Sequence, residues 1–242
     1  MSTFSLEGRT AVVTGASSGL GARFAQVLAG AGATVFAAAR RVDRIPTEPG
    51  IRPTACDVSV DGDREALMSA AVEATGRVDV LVNNAGVPGS VSAEKETADD
   101  FAAVLAVNLV APFHLAKLAQ EAGATSIVNV ASILGVVSTA PIGGASYAAS
   151  KAGLIGLTRE LAGQWGAAGV RVNALAPGWF RSEMTEELFG DERSSHWVAR
   201  NTMLGRGGDG AELDGALLFL ASDASSYCTG QVLVVDGGWT AR

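Results

Sequence analysis

Thr10-Ala11-Val12-Val13-Thr14-Gly15-Ala16-Ser17-Ser18-Gly19-Leu20-Gly21 is the stretch that decides the fold. Thr10–Thr14 is short, apolar and β-branched, as a strand buried on both faces must be. From Leu20 to Ala29 the apolar residues fall at helical spacing. Between them lies a turn whose glycines let the backbone bend sharply and come close to a ligand. The helix that follows would aim its first amides and its dipole at that ligand, which suits an anion such as a pyrophosphate. The spacing is TGxxxGxG rather than the commoner GxGxxG.

The same alternation continues through all 242 residues. Strands are expected at Thr34–Ala38, in a short third run whose end is Pro53–Cys56, and at Val78–Val82, Ser126–Ala131, Val170–Ala176 and Gln231–Val235. Helices are expected at Val60–Glu73, Ala98–Gln120 with a kink at Pro112, Ala145–Trp165 and Glu212–Leu220. Apolar strands alternating with helices imply an α/β domain, doubly wound, with a parallel sheet covered on both faces. No linker or internal repeat divides the chain, so residues 1–242 read as one domain. Residues 178–210 stand apart: glycine, charge and aromatics mix there without clear periodicity. A long irregular insert in a compact domain points to a functional lid.

Composition narrows the function. The net charge of −7 disfavours binding to nucleic-acid phosphates. Cys56 and Cys228 make neither a disulfide framework nor a metal spacing, and His114 and His196 have no companion ligands, so no metal is expected. The first residues do not form a secretory signal, and no run of roughly 18 uninterrupted apolar residues suggests a membrane span. A cytoplasmic protein follows as the expectation.

Two further clusters carry chemistry. At the end of the second strand the chain reads Ala38-Ala39-Arg40-Arg41. A carboxylate there would bond ribose hydroxyls and repel a 2′-phosphate. Guanidinium groups instead offer a planar fork to phosphate. Tyr147 and Lys151 lie four apart on one helix face. A neighbouring ammonium would stabilise the phenolate and lower the tyrosine's pKa, allowing proton exchange with an alkoxide. Ser132 follows a strand at its carboxyl end, where such sheets place ligands. It has no histidine partner, so a hydrolase triad is not supported.

Thr14–Gly21, Asp57-Val58, Asn83-Asn84-Ala85-Gly86, Asn108, Ser132, Tyr147-Ala148-Ala149-Ser150-Lys151, Pro177-Gly178 and Val235-Asp236-Gly237-Gly238 together resemble the motifs of the short-chain dehydrogenase/reductase family, in that family's order and over nearly the whole chain. The resemblance implies a seven-stranded parallel sheet and an NADP(H)-dependent oxidoreductase acting on a carbonyl or alcohol. It implies that Gly15, Ser17, Ser18, Gly19, Leu20 and Gly21 hold the dinucleotide and that Arg40 and Arg41 select its 2′-phosphate. Asp57 and Val58 would flank the adenine. Asn83, Ala85 and Gly86 would line the ribose and support the sheet. Pro177, Gly178, Phe180 and Ser182 would lie beside the nicotinamide. Tyr147 would protonate the carbonyl oxygen, Ser132 would orient it, and Lys151 would also bond the nicotinamide ribose. Asn108 would hold a water on a relay to Lys151. The family commonly forms dimers and tetramers through the helix of Tyr147 and the one after Asn108, so a homotetramer is expected.

The substrate is read from the insert. Trp179, Met184, Phe189 and Trp197 each read either as packing the insert onto the core or a neighbouring subunit or as contacting substrate; for the segment as a whole a lid over a bulky or cyclic apolar ketone is expected. The alternative within the family is a 3-oxoacyl-carrier-protein reductase. Docking an acidic carrier calls for cations, and Ala119–Ser126, where the family's carrier reductases place them, has none. A spacing of fourteen residues between Ser132 and Tyr147 suggests an enlarged rim loop around Ser138–Gly144.

Overall fold

The computed structural model describes residues 3–140, 142–181 and 185–241. Seven parallel strands form one sheet in the order β3-β2-β1-β4-β5-β6-β7. They are β1 Thr10–Thr14, β2 Thr34–Ala39, β3 Ile51–Ala55, β4 Val80–Asn83, β5 Ser126–Val130, β6 Arg171–Pro177 and β7 Val232–Val235. The order reverses between β1 and β4, whose carboxyl ends diverge there into loops on opposite faces. That gap is where doubly wound sheets bind ligands.

Alternate residues of each strand feed two cores. Val13, Val35, Val82, Val128 and Leu175 face Phe24 and Leu28 of α1 (Gly19–Gly30) and Leu217 and Leu220 of α8 (Asp214–Ala221). Val12, Phe36, Leu81, Ile127 and Val172 face the other side. There they meet Leu67 and Met68 of α2 (Asp61–Thr75), Leu115 and Ala119 of α4 (Ala111–Glu121) and Leu161 of α5 (Ala145–Trp165). Cys56 is buried in this second core, and burial pushes its thiol up to about 11, which makes it inert at neutral pH.

The expected helix from Ala98 is interrupted, but not by a proline kink. α3 (Ala98–Leu105) passes through a π-helical turn at Ala106–Val110 into α4, and Pro112 sits in the first turn of α4. Proline is tolerated there because it falls where the π turn, with the Ala111 N–H bonded to the Ala106 carbonyl, gives way to the regular ladder of α4. The whole stretch Ala98–Glu121 is long and apolar enough to cross a membrane by length and composition, but in the fold α4 buries Pro112, Leu115 and Ala119 against the sheet side of the core.

The insert is more regular than its sequence suggests. It carries α6 (Glu186–Gly190) and α7 (Glu192–Asn201), the second capped by Asp191, whose carboxylate accepts from the Ser194 amide at 2.8 Å. Its periodicity is hidden because α7 presents mostly polar residues and buries only Val198. The last expected helix starts as a 3₁₀ turn at Gly210–Leu213 before α8.

Candidate active site

A cleft of about 200 Å³ opens at the reversal point. It is lined by Gly15, Ser18, Gly19, Leu20 and Gly21 after β1, by Asn84–Gly86 after β4, and by Val130–Ser132 at the end of β5. Tyr147 and Lys151 of α5, then Pro177, Gly178 and Phe180 after β6, and Thr185, complete it. Four strand ends therefore converge on one space.

The glycine-rich turn leaves no room for side chains. Gly15 has φ +69°, and a Cβ there would stand 2.8 Å from the Ala85 Cα; one at Gly21 would overlap the Gly15 carbonyl oxygen. Thr14 ties this turn to the next strand end: its hydroxyl accepts from the amides of Asn84 (3.1 Å) and Ala85 (3.0 Å). Asn84 returns a bond from Nδ2 to the Thr14 carbonyl at 2.9 Å. The N-cap of α1, Ser18, makes no side-chain cap, and the first turn holds no carboxylate. By contrast α3 begins with a full capping box of Thr97 and Asp100. An uncapped helix start beside glycines that admit no side chain fits a dinucleotide pyrophosphate.

Arg40 and Arg41 follow β2 at the exposed end of this turn. Arg41 donates from Nη2 to the Ser18 hydroxyl at 3.4 Å, and Arg40 lies close enough to help hold the Asp57 carboxyl below its usual range, behind the larger effect of the Ser59 hydrogen bonds. The positions expected for a 2′-phosphate and for adenine thus adjoin, with Val58 buried beside them. The loop bearing Asp57 and Val58 is pinned from below by the buried Arg64, which bonds the Val58 carbonyl, Asp61 and His114 Nδ1. Ser17 lies in the turn but does not line the cleft.

Asn83 does only half of what the resemblance implies. It is buried below the cleft, donating to the Pro112 carbonyl (3.2 Å) and Asn129 Oδ1 (2.9 Å), and Asn129 continues to Thr158 at 2.9 Å. It supports the sheet and does not line the cleft. Asn108 is also set back. Its side chain is committed to backbone: Oδ1 accepts from the Val87 amide and Nδ2 donates to the Val87 carbonyl, both at 2.9 Å. Its own carbonyl receives no bond from the residue four positions on, because Pro112 has no N–H.

The acid-base trio is assembled. Ser132 and Tyr147 line the same cleft, close enough for the serine to oppose the rise of the phenol, and Lys151 Nζ stands 5.5 Å from the Tyr147 ring centroid while donating to the Val130 carbonyl at 2.7 Å. One expectation is overturned. Burial, not the ammonium, dominates both groups: it raises the Tyr147 phenol above its usual value, with Ser132 opposing. It also lowers Lys151 to about 8. The tyrosine is thereby kept as a proton donor.

The expected substrate residues are placed differently. Trp179, Trp197 and Trp239 pack edge to face, with ring centroids 5.8, 5.7 and 4.9 Å apart. Ile133, Val198, Leu188 and Phe189 join this cluster. Trp179, Phe189 and Trp197 therefore seat the insert on the core and do not line the cleft. Phe189 also lies under Arg181, whose guanidinium is 5.0 Å from its ring centroid. His196 is exposed on α7. Ser182 and Met184 lie outside the described residues. The rim loop at Ser138–Gly144 borders a separate apolar groove with Val91 and Leu134. Cleft residues that the sequence reading missed are Asn84 as a lining group, Val130, Ala131 and Thr185. Asn84 had a signal in its double-asparagine motif, whereas Thr185 had none.

A family model described as enoyl-(acyl carrier protein) reductase matches residues 15–240. The gluconate 5-dehydrogenase of Gluconobacter oxydans is 36% identical over 250 residues, covering 98% of this chain and 96% of its own. The 3-oxoacyl-[acyl-carrier-protein] reductase FabG of Thermotoga maritima is 38% identical, over 96% of this chain and 98% of its own. A solved structure from Beutenbergia cavernae, described as an NAD(P)-dependent gluconate 5-dehydrogenase with bound NADP, is 40% identical. It superposes with a TM-score of 0.91 over 100% of both chains.

Proposed function

The chain belongs to the short-chain dehydrogenase/reductase family, and from that premise we propose that it interconverts a ketone and a secondary alcohol with NADP(H). The observation that carries the reading is that Ser132, the half-buried Tyr147 and Lys151 line one cleft with the glycine-rich turn, Lys151 Nζ 5.5 Å from the Tyr147 ring centroid. When bound, the nicotinamide supplies or accepts the hydride. Ser132 holds the carbonyl oxygen beside the phenol. Tyr147 gives that oxygen its proton, and Lys151 limits the cost of the phenolate left behind. A water held at Asn108 would replace the proton by way of Lys151. Arg40 and Arg41, with Ala39 where a carboxylate would stand, favour the 2′-phosphate.

Lys151 is the only charged side chain lining the cleft among the described residues. That supports an uncharged, bulky or cyclic ketone over a short keto acid. The second reading, a carrier-bound 3-oxoacyl substrate, is favoured by the similarity to the Thermotoga maritima reductase. The test is NADPH consumption at 340 nm with aryl and cyclic ketones, a short keto acid and a 3-oxoacyl thioester. Preference for the cyclic ketone supports the reading. Preference for the keto acid, abolished by Arg181→Ala or Arg193→Ala, contradicts it.

The outer faces of α4 and α5 support self-association. Phe113 of α4 is 42% and Val110, the last residue of the π turn before it, 54% exposed, and the outward positions of α5 include Ala149, Ala152 and Gly156. Small side chains let two such helices approach closely. A homotetramer follows.

A further inference from the structure

Tyr147 occupies an exposed kind of position in a helix. α5 begins at Ala145, so the tyrosine lies in its first turn, where backbone amides lack intrahelical partners and fraying begins. The residue that should cap this end, Gly144, has no side chain to do so. The cap comes from a residue fifty positions earlier. The half-buried Glu96 accepts from the Ser146 amide through Oε2 at 3.2 Å, and from the Ser146 hydroxyl through Oε1. The same Oε1 accepts from the Ser90 amide at 3.2 Å. Ser146 is fully buried, and its hydroxyl holds the Glu96 carboxyl below the usual range.

This carboxylate therefore joins two things that must stay in register: the first turn of the helix bearing Tyr147, and the loop after β4. That loop is clamped a second time, at Val87, by the Asn108 side chain, which also donates to the Ser150 hydroxyl at 3.1 Å. Ser150 in turn donates to the Tyr147 carbonyl at 2.7 Å. Loop and helix press together closely. A Cβ on Gly89 would come within 3.0 Å of Glu96 Oε1 and 3.3 Å of the Tyr147 amide. We propose that Glu96 is a positioning residue for the acid-base step: a borrowed N-cap that fixes the Tyr147 turn against the Val87–Ser90 loop. It touches neither cofactor nor substrate. Its effect falls on the geometry of the phenol, while the glycine-rich turn and Arg40 hold the dinucleotide without it.

The inference rests on the proposed reductase reading for its kinetic arm only. The test compares Glu96→Ala and Glu96→Gln with the unmodified full chain. It uses kcat for a turned-over ketone, the Kd for NADPH from nucleotide fluorescence, and amide hydrogen exchange along α5. Glu96→Ala is expected to lower kcat about tenfold, the order of factor lost with a helix cap. The Kd for NADPH should stay within about twofold. Glu96→Gln, which keeps one acceptor oxygen, should recover most of the loss. Exchange should accelerate at Ser146–Ala148 and not at the centre of α5. Should Glu96→Ala fail to fold, Glu96→Gln alone must still show faster exchange confined to that turn. Unchanged exchange at Ser146–Ala148 in either variant overturns the proposal. So does a kcat loss matched by an equal loss of NADPH affinity, which would mean general destabilisation. If no ketone is reduced by the unmodified chain, the reductase reading fails, and the exchange arm still decides the role of Glu96.

Discussion

The cleft and the insert at residues 178–210 are held together by different forces. In the cleft, short hydrogen bonds join strand ends: Thr14 to Asn84 and Ala85, Asn108 to Val87, Lys151 to the Val130 carbonyl. Each is directional, and each fixes an atom that the chemistry needs. In the insert, the fixing contacts are three indole rings from three separate segments, with Phe189 and Ile133 beside them. Packing of this kind is less directional and tolerates exchange of shape. On the proposed reading the sheet edge sets the reaction, and the insert sets which molecule reaches it.

The sharpest attack on the sheet-edge half of that comparison is Lys151→Ala. Lys151 is buried and reaches the Val130 carbonyl, and it is assigned both the phenolate and the nicotinamide ribose. Its loss should lower kcat by about a hundred- to ten-thousandfold and weaken NADPH binding as well, measured by initial rates and nucleotide titration. In the unmodified enzyme the same group gives a pH signature. Burial lowers Lys151 to about 8, so its ammonium is lost as pH rises through that value. The kcat/KM for ketone reduction, which reports the free enzyme, should fall above about pH 8, whereas Tyr147, raised by burial, stays protonated. A flat profile to pH 10 would remove the lysine from the mechanism.

A smaller effect is expected at the dinucleotide's far end. Arg40→Ala should raise the KM for NADPH about ten- to a hundredfold, as the loss of one charge-assisted contact of roughly 1.5–3 kcal/mol requires. The KM for NADH should change little. Equal losses for both would mean that Arg40 shapes the loop rather than reading the phosphate.

The insert should respond more mildly and in a different parameter. Trp197→Ala removes a half-buried ring from the aromatic cluster and should raise the KM for a bulky ketone several-fold, with kcat within about threefold. A hundredfold loss of kcat would erase the division between the two regions.

This contrast also explains what the sequence made legible. The glycine-rich turn, Ser132, Tyr147 and Lys151 announce themselves because their chemistry restricts residue type locally. The strand sequence Thr10–Thr14 does the same, being buried on both faces. The sequence leaves Trp179 and Trp197 open between packing and substrate contact, because they meet each other and Trp239 only when the fold brings them together. α7 was hidden for the opposite reason, with Val198 its one buried side chain. The direction of the tyrosine's shift also escaped. A neighbouring cation can be read from an i, i+4 spacing, but the depth of burial that outweighs it cannot.

The central claim is that the sheet edge performs the reaction through the Tyr147 phenol. It is tested most directly by rapidly mixing the NADPH complex with an excess of cyclic ketone and following the 340 nm absorbance through one turnover, in the unmodified chain and in Tyr147→Phe. The account predicts full nucleotide oxidation with alcohol formed in equal amount. In Tyr147→Phe the rate should be about a hundred- to ten-thousandfold lower, with NADPH affinity preserved. A Tyr147→Phe variant that oxidises NADPH at nearly the unmodified rate would contradict it.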